Sequence, residues 1–202
     1  MSEGSAPAKK IKAKKERRPP KKITENYLHN AGLYYLERFV ASTAHFRTVM
    51  MRKIDRSCNF HKDQDREQCI AMLDAVAAKF QELGLLNDET YTRGMVISMR
   101  RRGLSARMIH AKLRAKGLEQ SAISEALQIY DDETDENAEL RAALRLARRK
   151  KLGPYATEKN ADMPLEKSLA SLARAGFSYD TASRALQLDR DEAERISESG
   201  GC

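Results

Sequence analysis

The sequence predicts an all-α protein, an elongated array of small helical modules, and three observations predict it. Apolar residues recur three and four apart in segment after segment, the period that gathers them on one face of a helix. A helix-turn-helix phrase also repeats: Gly103-Leu104-Ser105, followed by Ile109 and Leu113, reappears as Gly176-Phe177-Ser178, followed by Ala182 and Leu186. A fainter copy starts at Ser42, with Phe46 and Met50 in the same two places. Finally, no segment shows the apolar–polar alternation of a strand. Repetition matters because one small helical unit cannot bury its apolar face alone. An array of such units offers a long surface and no central pocket, a form suited to grasping another macromolecule.

The elements follow in order. Residues 1–22 are rich in Lys, Ala and Pro without an apolar period, and read as a disordered basic arm. Thr24 can cap a helix running to about Phe39, with Leu28, Leu36 and Phe39 inside. A second helix starts after Ser42 or Thr43, and Asp55 to Lys62 reads as a loop. These make a degenerate first repeat, residues 23–64. From Asp65 to Leu83 the stripe Cys69, Leu73, Val76, Phe80 and Leu83 is continuous, and Gly84 sits where a helix ends in a positive φ. Asn87 or Asp88 caps the next helix, with Tyr91, Met95 and Met99 inside and Gly103 at its end. Ser105 caps another, facing inward through Ala106, Ile109 and Leu113 and stopped by Gly117. A short helix from Ser121 to Tyr130 completes a central repeat, residues 65–130.

Asp131 to Asp135 reads as an exposed acidic link. A helix from about Glu136 to Leu152 carries Leu140, Leu144 and Ala147, and Gly153-Pro154 stops it. After a loop at 155–161, Asp162 with Pro164 opens a helix through Leu165, Leu169 and Leu172 that Gly176 ends. Ser178 starts the next, and Asp189 with Glu192 forms a capping box for a last short helix. This third repeat spans 131–199, with 200–202 a frayed tail.

Composition narrows the chemistry. Of 202 residues 41% are hydrophobic and 33% charged, but only 6% are aromatic and Trp is absent, which favours small cores and wide solvated faces. No run approaches the ~18 apolar residues of a membrane span, and the chain does not open on the apolar stretch of a secretory signal. Three Cys at irregular spacing argue against a disulfide framework and for a reducing cytoplasm. Cys58, His61 and Cys69 lack the paired spacing and fourth ligand of structural zinc. None of the four His stands in a phrase that would set a Ser or Cys beside a base. No Gly-rich phosphate loop appears. The expectation is therefore no catalytic site, no metal and no cofactor.

Charge is sorted into blocks. The arm holds nine Lys or Arg against two Glu and so carries most of the +8 net charge. Arg93 to Lys116 is wholly basic, Gly117 to Leu140 wholly acidic, and Arg141 to Lys151 wholly basic among the charged residues. Arg93 and Arg100 are seven apart, as are Arg107 and Arg114, so two consecutive helices can present one cationic ridge. Arg101, Arg102, Lys116, Arg145, Arg148 and Arg149 extend the set of candidate contacts. Guanidinium forks match phosphate and carboxylate alike. The ridge can therefore meet a nucleic-acid backbone or an acidic protein groove, and few aromatics interleave it for stacking on single strands.

The stretch Leu83-Gly84-Leu85-Leu86-Asn87-Asp88-Glu89-Thr90-Tyr91, then Arg100-Arg101-Arg102-Gly103-Leu104-Ser105, Ile109, Leu113 and Lys116-Gly117-Leu118, resembles the central signature of the RecX family. Ala175-Gly176-Phe177-Ser178-Tyr179-Asp180 resembles that family's C-terminal repeat. The resemblance implies tandem three-helix repeats and a bacterial, cytoplasmic regulator of the RecA recombinase. It implies a protein that lies along the groove of the RecA–DNA filament and restrains strand exchange, ATP hydrolysis and co-protease activity. The expected partners are a RecA-type filament and single- or double-stranded DNA, with no membrane, the chain itself being a monomer.

Overall fold

Most of the helices begin where a side chain accepts a first-turn amide that has no partner of its own, α7 and α8 being without such a cap. Thr24 accepts from the Tyr27 amide, Ser42 from His45, Asp65 from Glu67, Asn87 from Thr90, Ser105 from Met108 and Ser178 from Thr181. Losing such a cap costs about 1 kcal/mol. The computed structural model describes residues 19–134, 137–160 and 162–198. Within them lie α1 (Glu25–Leu36), α2 (Thr43–Phe60), α3 (Arg66–Glu82), α4 (Asp88–Arg101), α5 (Ala106–Arg114), α6 (Gln120–Thr134), α7 (Ala138–Lys150), α8 (Leu165–Arg174), α9 (Tyr179–Gln187) and α10 (Arg190–Glu198), with short 3-10 turns at Gly153–Tyr155 and Glu158–Asn160. Among the described residues there is no strand, and no helix is long and apolar enough to cross a membrane.

The fold is an all-α array of three-helix repeats, each around its own core. Helices α1, α2 and α3 enclose Leu28, Phe46, Met50, Ile54, Leu73, Val76 and Phe80. Helices α4, α5 and α6 enclose Val96, Ile109, Leu113, Ile123 and Leu127. In the third module α7 packs along α9 as α4 packs along α6, and α8 lies on α9 as α5 lies on α6. Its core holds Leu144, Leu172, Ala182 and Leu186. Helix α10 is an addition, laid against α7 through Ala193 and Ile196.

Several expectations change. Helix α3 belongs to the first core, so the boundary expected at 64/65 falls one helix early: the stripe of Cys69, Leu73, Val76 and Phe80 meets Phe46, Met50 and Ile54. The loop expected from Asp55 is helical to Phe60, because Ile54 and Ser57 continue the buried stripe of Phe46 and Met50. Helix α1 stops at Leu36, which leaves Phe39 exposed. Residues 19–22 are fastened to the first module, since Ser57 Oγ donates to the Lys21 carbonyl at 2.9 Å and Lys22 pairs with Asp63. The rest of the expected arm, 1–18, and the tail at 200–202 lie outside the described residues. The acidic link is helical from Asp131 to Thr134, as the end of α6.

The repeated phrase also marks different corners. Gly103 precedes the second helix of its module, whereas Gly176 precedes the third. Both corners are a glycine at positive φ followed by an apolar residue whose amide reaches back into the last helical turn: Leu104 N–H to the Met99 carbonyl and Phe177 N–H to that of Leu172. Such a helix end makes the same demands wherever it occurs, so its recurrence reports a corner and not the period of the array.

The period lies in the joints between modules. At the first, Ser42 Oγ donates to the Lys116 carbonyl at 3.0 Å, and the next amide, Thr43 N–H, donates to Asp88 Oδ1 at 2.7 Å. At the second, Ser105 Oγ donates to the Ala175 carbonyl at 2.6 Å, and Ala106 N–H donates to the Glu139 carboxylate at 3.2 Å. Each joint thus seats the N-cap of one module's second helix on two features of the next. One is an acid in the opening turn of its first helix, and the other is the carbonyl before the glycine that follows its second helix. Gly117 and Gly176 stand at positive φ, and a Cβ there lies 2.5 Å from Ala44 Cβ and 2.6 Å from Ser105 Oγ respectively. Replacing either by Ala is expected to cost about 2–4 kcal/mol, strained φ and crowding together. Gly84→Ala, at a similar φ with open space around it, is expected to cost about 1–2 kcal/mol. Urea midpoints of the three variants check the difference.

A candidate interaction surface at the second joint

Helix α4 turns inward through Thr92, Val96 and Arg100, each four residues after the last, with Tyr91 and Met99 beside them. That register places Arg100 inside the joint, with its side chain 1% exposed. A guanidinium taken from water is costly unless paired. Arg100 Nη2 donates to Asp131 Oδ2 of α6 at 2.7 Å, and Nη1 pairs with Glu139 of α7. One cation thus clasps an acid of its own module and an acid of the next. Glu139 lies in the first turn of α7 and accepts the first amide of α5, so two helix N-termini favour its negative charge. Asp131 lies in the last turn of α6. Burial pushes its carboxyl above the ordinary value, with Glu139 and Asp132 acting the same way, while Arg100 pulls it down.

Arginines of α7 reinforce the clasp. Arg145 Nη1 donates to the Arg100 carbonyl at 3.3 Å and Arg149 Nη1 to the Arg102 carbonyl at 2.6 Å. These carbonyls lie at the end of α4, where that of Arg100 also accepts the Gly103 amide at 2.9 Å. The C-terminal ends of α4 and α7 are thereby held side by side, and Arg101, Arg102, Arg148 and Arg149 stand exposed there.

The expected ridge is therefore corrected. Arg100 is not an outward contact, because the buried face of α4 runs through Val96 and not through Met95, which is only half-buried. Arg93 is exposed but pairs with Glu89 one turn earlier at 2.8 Å. On α5, Arg107 and Arg114 are exposed; Arg107 Cβ lies beside Gly176 at the joint, and Arg114 donates to Gln120 at 3.4 Å. Lys116 is half-buried over the Tyr91 ring. Arg148 lies over Tyr155 at 5.9 Å. The second joint thus brings together Arg101, Arg102, Arg145 and Arg149 from two modules, with Arg148 exposed on α7; of the expected ridge Arg100 is buried and Arg93 paired, while Arg107 and Arg114 remain exposed on α5. Asp131, expected on an exposed acidic link, and Glu139 are instead the acids that hold Arg100. The Thr92–Val96–Arg100 spacing and the acid block after Gly117 were the available signals.

Residues 87–127 match the family model for the second three-helix domain of RecX. The regulatory protein RecX of Myxococcus xanthus is 39% identical over 86% of this chain and 92% of its own length. That of Agrobacterium fabrum is 27% identical over 85% and 88%. Among solved structures, RecX from Lactobacillus salivarius superposes with a TM-score of 0.56 at 23% identity, covering 81% of this chain and 94% of that one, a likeness of fold.

Arg100→Ala is expected to cost about 2–4 kcal/mol, somewhat below a fully buried pair because its two carboxylates are 34% and 33% exposed. Arg101→Ala is expected to stay within about 0.5 kcal/mol; chemical denaturation distinguishes the two. An acid held above its ordinary value binds its proton more tightly folded than unfolded. Its contribution is therefore greatest at low pH and declines as pH rises through the raised value. The stability of the parent protein relative to Asp131→Asn should accordingly shrink as pH rises from the ordinary carboxylate range, read as unfolding midpoints across pH.

Proposed function

The chain belongs to the RecX family, and from that premise we propose that it binds the filament of a RecA-type recombinase on DNA and restrains strand exchange, ATP hydrolysis and co-protease activity. It acts by occupying a surface and carries out no chemistry of its own. The observation that supports this reading best is the exposed arginine cluster of α4 and α7, held across two modules by one buried clasp. Two helices fixed side by side present guanidinium forks at set spacing, which suits a repeating acidic or phosphate-lined groove. Successive modules add further contacts, each bound at the effective concentration set by the last. Such an array gains affinity from many weak contacts without needing a deep pocket.

The test is recombinase-promoted strand exchange and ATPase activity with the full chain at substoichiometric ratio. The parent protein is expected to slow both. Arg101→Ala, Arg102→Ala and Arg148→Ala combined should weaken that effect at least about tenfold, the result of losing about 1.4 kcal/mol of binding, with an unchanged thermal midpoint. Full inhibition by the triple variant contradicts the assignment of this surface. Inhibition that tracks affinity for bare DNA, falling steeply as salt rises, points to the nucleic acid as the principal partner.

A further inference from the structure

The sequence sets Cys58 and Cys69 apart as a motif that neither a metal nor the filament surface uses. Cys58 is in the last turn of α2 and Cys69 in the first turn of α3. The two helices fold back on each other at the corner between them, and the sulfurs come to 4.0 Å. Both thiols are free. A disulfide needs about 2.05 Å, so about 2 Å of approach remains, at two helix ends joined by residues 61–65.

We infer that Cys58 and Cys69 form a reversible modification site, in which a hydroperoxide oxidises Cys58 and Cys69 resolves it to an intramolecular disulfide. Access sets the order. Cys58 is half-buried and meets solvent, whereas Cys69 is only 2% exposed. Burial pushes the Cys69 thiol up to about 11, with the hydrogen bond to Cys58 acting the same way, so the oxidant meets Cys58 first and Cys69 gives up its proton only as it attacks. In the first step the Cys58 sulfur attacks a peroxide oxygen: the O–O bond breaks, an S–O bond forms, and the alcohol or water leaves with the thiol proton. In the second the Cys69 sulfur attacks Cys58, the S–O bond breaks, and water leaves with the Cys69 proton. Two thiols and one hydroperoxide give one disulfide, one alcohol (or water) and one water. A dithiol restores the pair by exchange.

The site lies at the corner that fastens the incoming chain. Gln64 Nε2 donates to the Ile23 carbonyl at 3.0 Å and approaches Cys69 Sγ at 3.9 Å, while Gln64 Oε1 accepts from the Ile23 amide at 3.0 Å and lies 2.7 Å from Ser57 Oγ. Drawing the sulfurs together moves the turn that carries Gln64, and with it the anchorage of the segment entering α1.

The experiment uses the full chain as Cys202→Ser, which leaves only this pair. The folded protein is treated with hydrogen peroxide, then denatured in excess N-ethylmaleimide and weighed intact. The reduced protein is expected to take up two maleimides. The oxidised protein should take up none, weigh less by two hydrogens, and regain both sites after dithiothreitol. In Cys69→Ser, dimedone should trap a sulfenic acid on Cys58; in Cys58→Ser, it should leave Cys69 unmodified. Two maleimides after oxidation, or oxygen gained at Cys58 while Cys69 still alkylates, overturns the pairing. Dimedone on Cys69 overturns the order.

Discussion

A guanidinium buried in the seam between two modules must be answered by carboxylates from both sides, and the second half of this array is organised around that requirement. Arg100 cannot leave the seam without abandoning Asp131 and Glu139 to a partly desolvated setting. Holding them fixes the end of α6 and the start of α7 against the end of α4. The carbonyls of that helix end then become acceptors for Arg145 and Arg149. The exposed arginines are thus positioned by a clasp whose cation is buried and whose two carboxylates are partly exposed. A buried ion pair is weak evidence for net stability. Here its stronger role is register: it specifies which face of the third module meets the second.

The two joints share a hydrogen-bond plan but not a strength. Each seats a serine N-cap on a carbonyl before glycine and an amide on an acid. At the second joint the clasp is added, and α7 packs against both α4 and α6. Among the described residues no helix pair packs as extensively across the first joint. The second and third modules are therefore joined by helix packing as well as hydrogen bonds, and the first is joined to the second through the corner at Ser42. A shared plan with unequal reinforcement lets one short sequence grammar build joints that differ in packing.

Much of this was legible in the residues. Helix starts at Thr24, Ser42, Ser105 and Ser178 follow from side chains that accept amides locally, and the glycine stops follow from backbone needs that involve few distant residues. The stripes of α3 and α5 were readable because their period is unambiguous. The module boundary was not, because which core a stripe joins depends on long-range packing. Arg100 was misread for a related reason. A charged residue looks outward by type, and only the acids 31 and 39 residues later make the inward position affordable. The Thr92–Val96–Arg100 spacing carried the signal, but Met95 offered an equally regular stripe one residue away. The repeated Gly–apolar–Ser phrase misled because a corner's chemistry is local while a repeat's period is set by joints between modules.

The account stands most directly on a double-mutant cycle at the clasp, with Arg100→Met, Glu139→Gln and the combined variant compared by equilibrium unfolding. Coupling across the module boundary predicts an interaction energy of about 1–3 kcal/mol between the two positions. Changes that simply add, within about 0.5 kcal/mol, would mean that these charges do not hold the modules together.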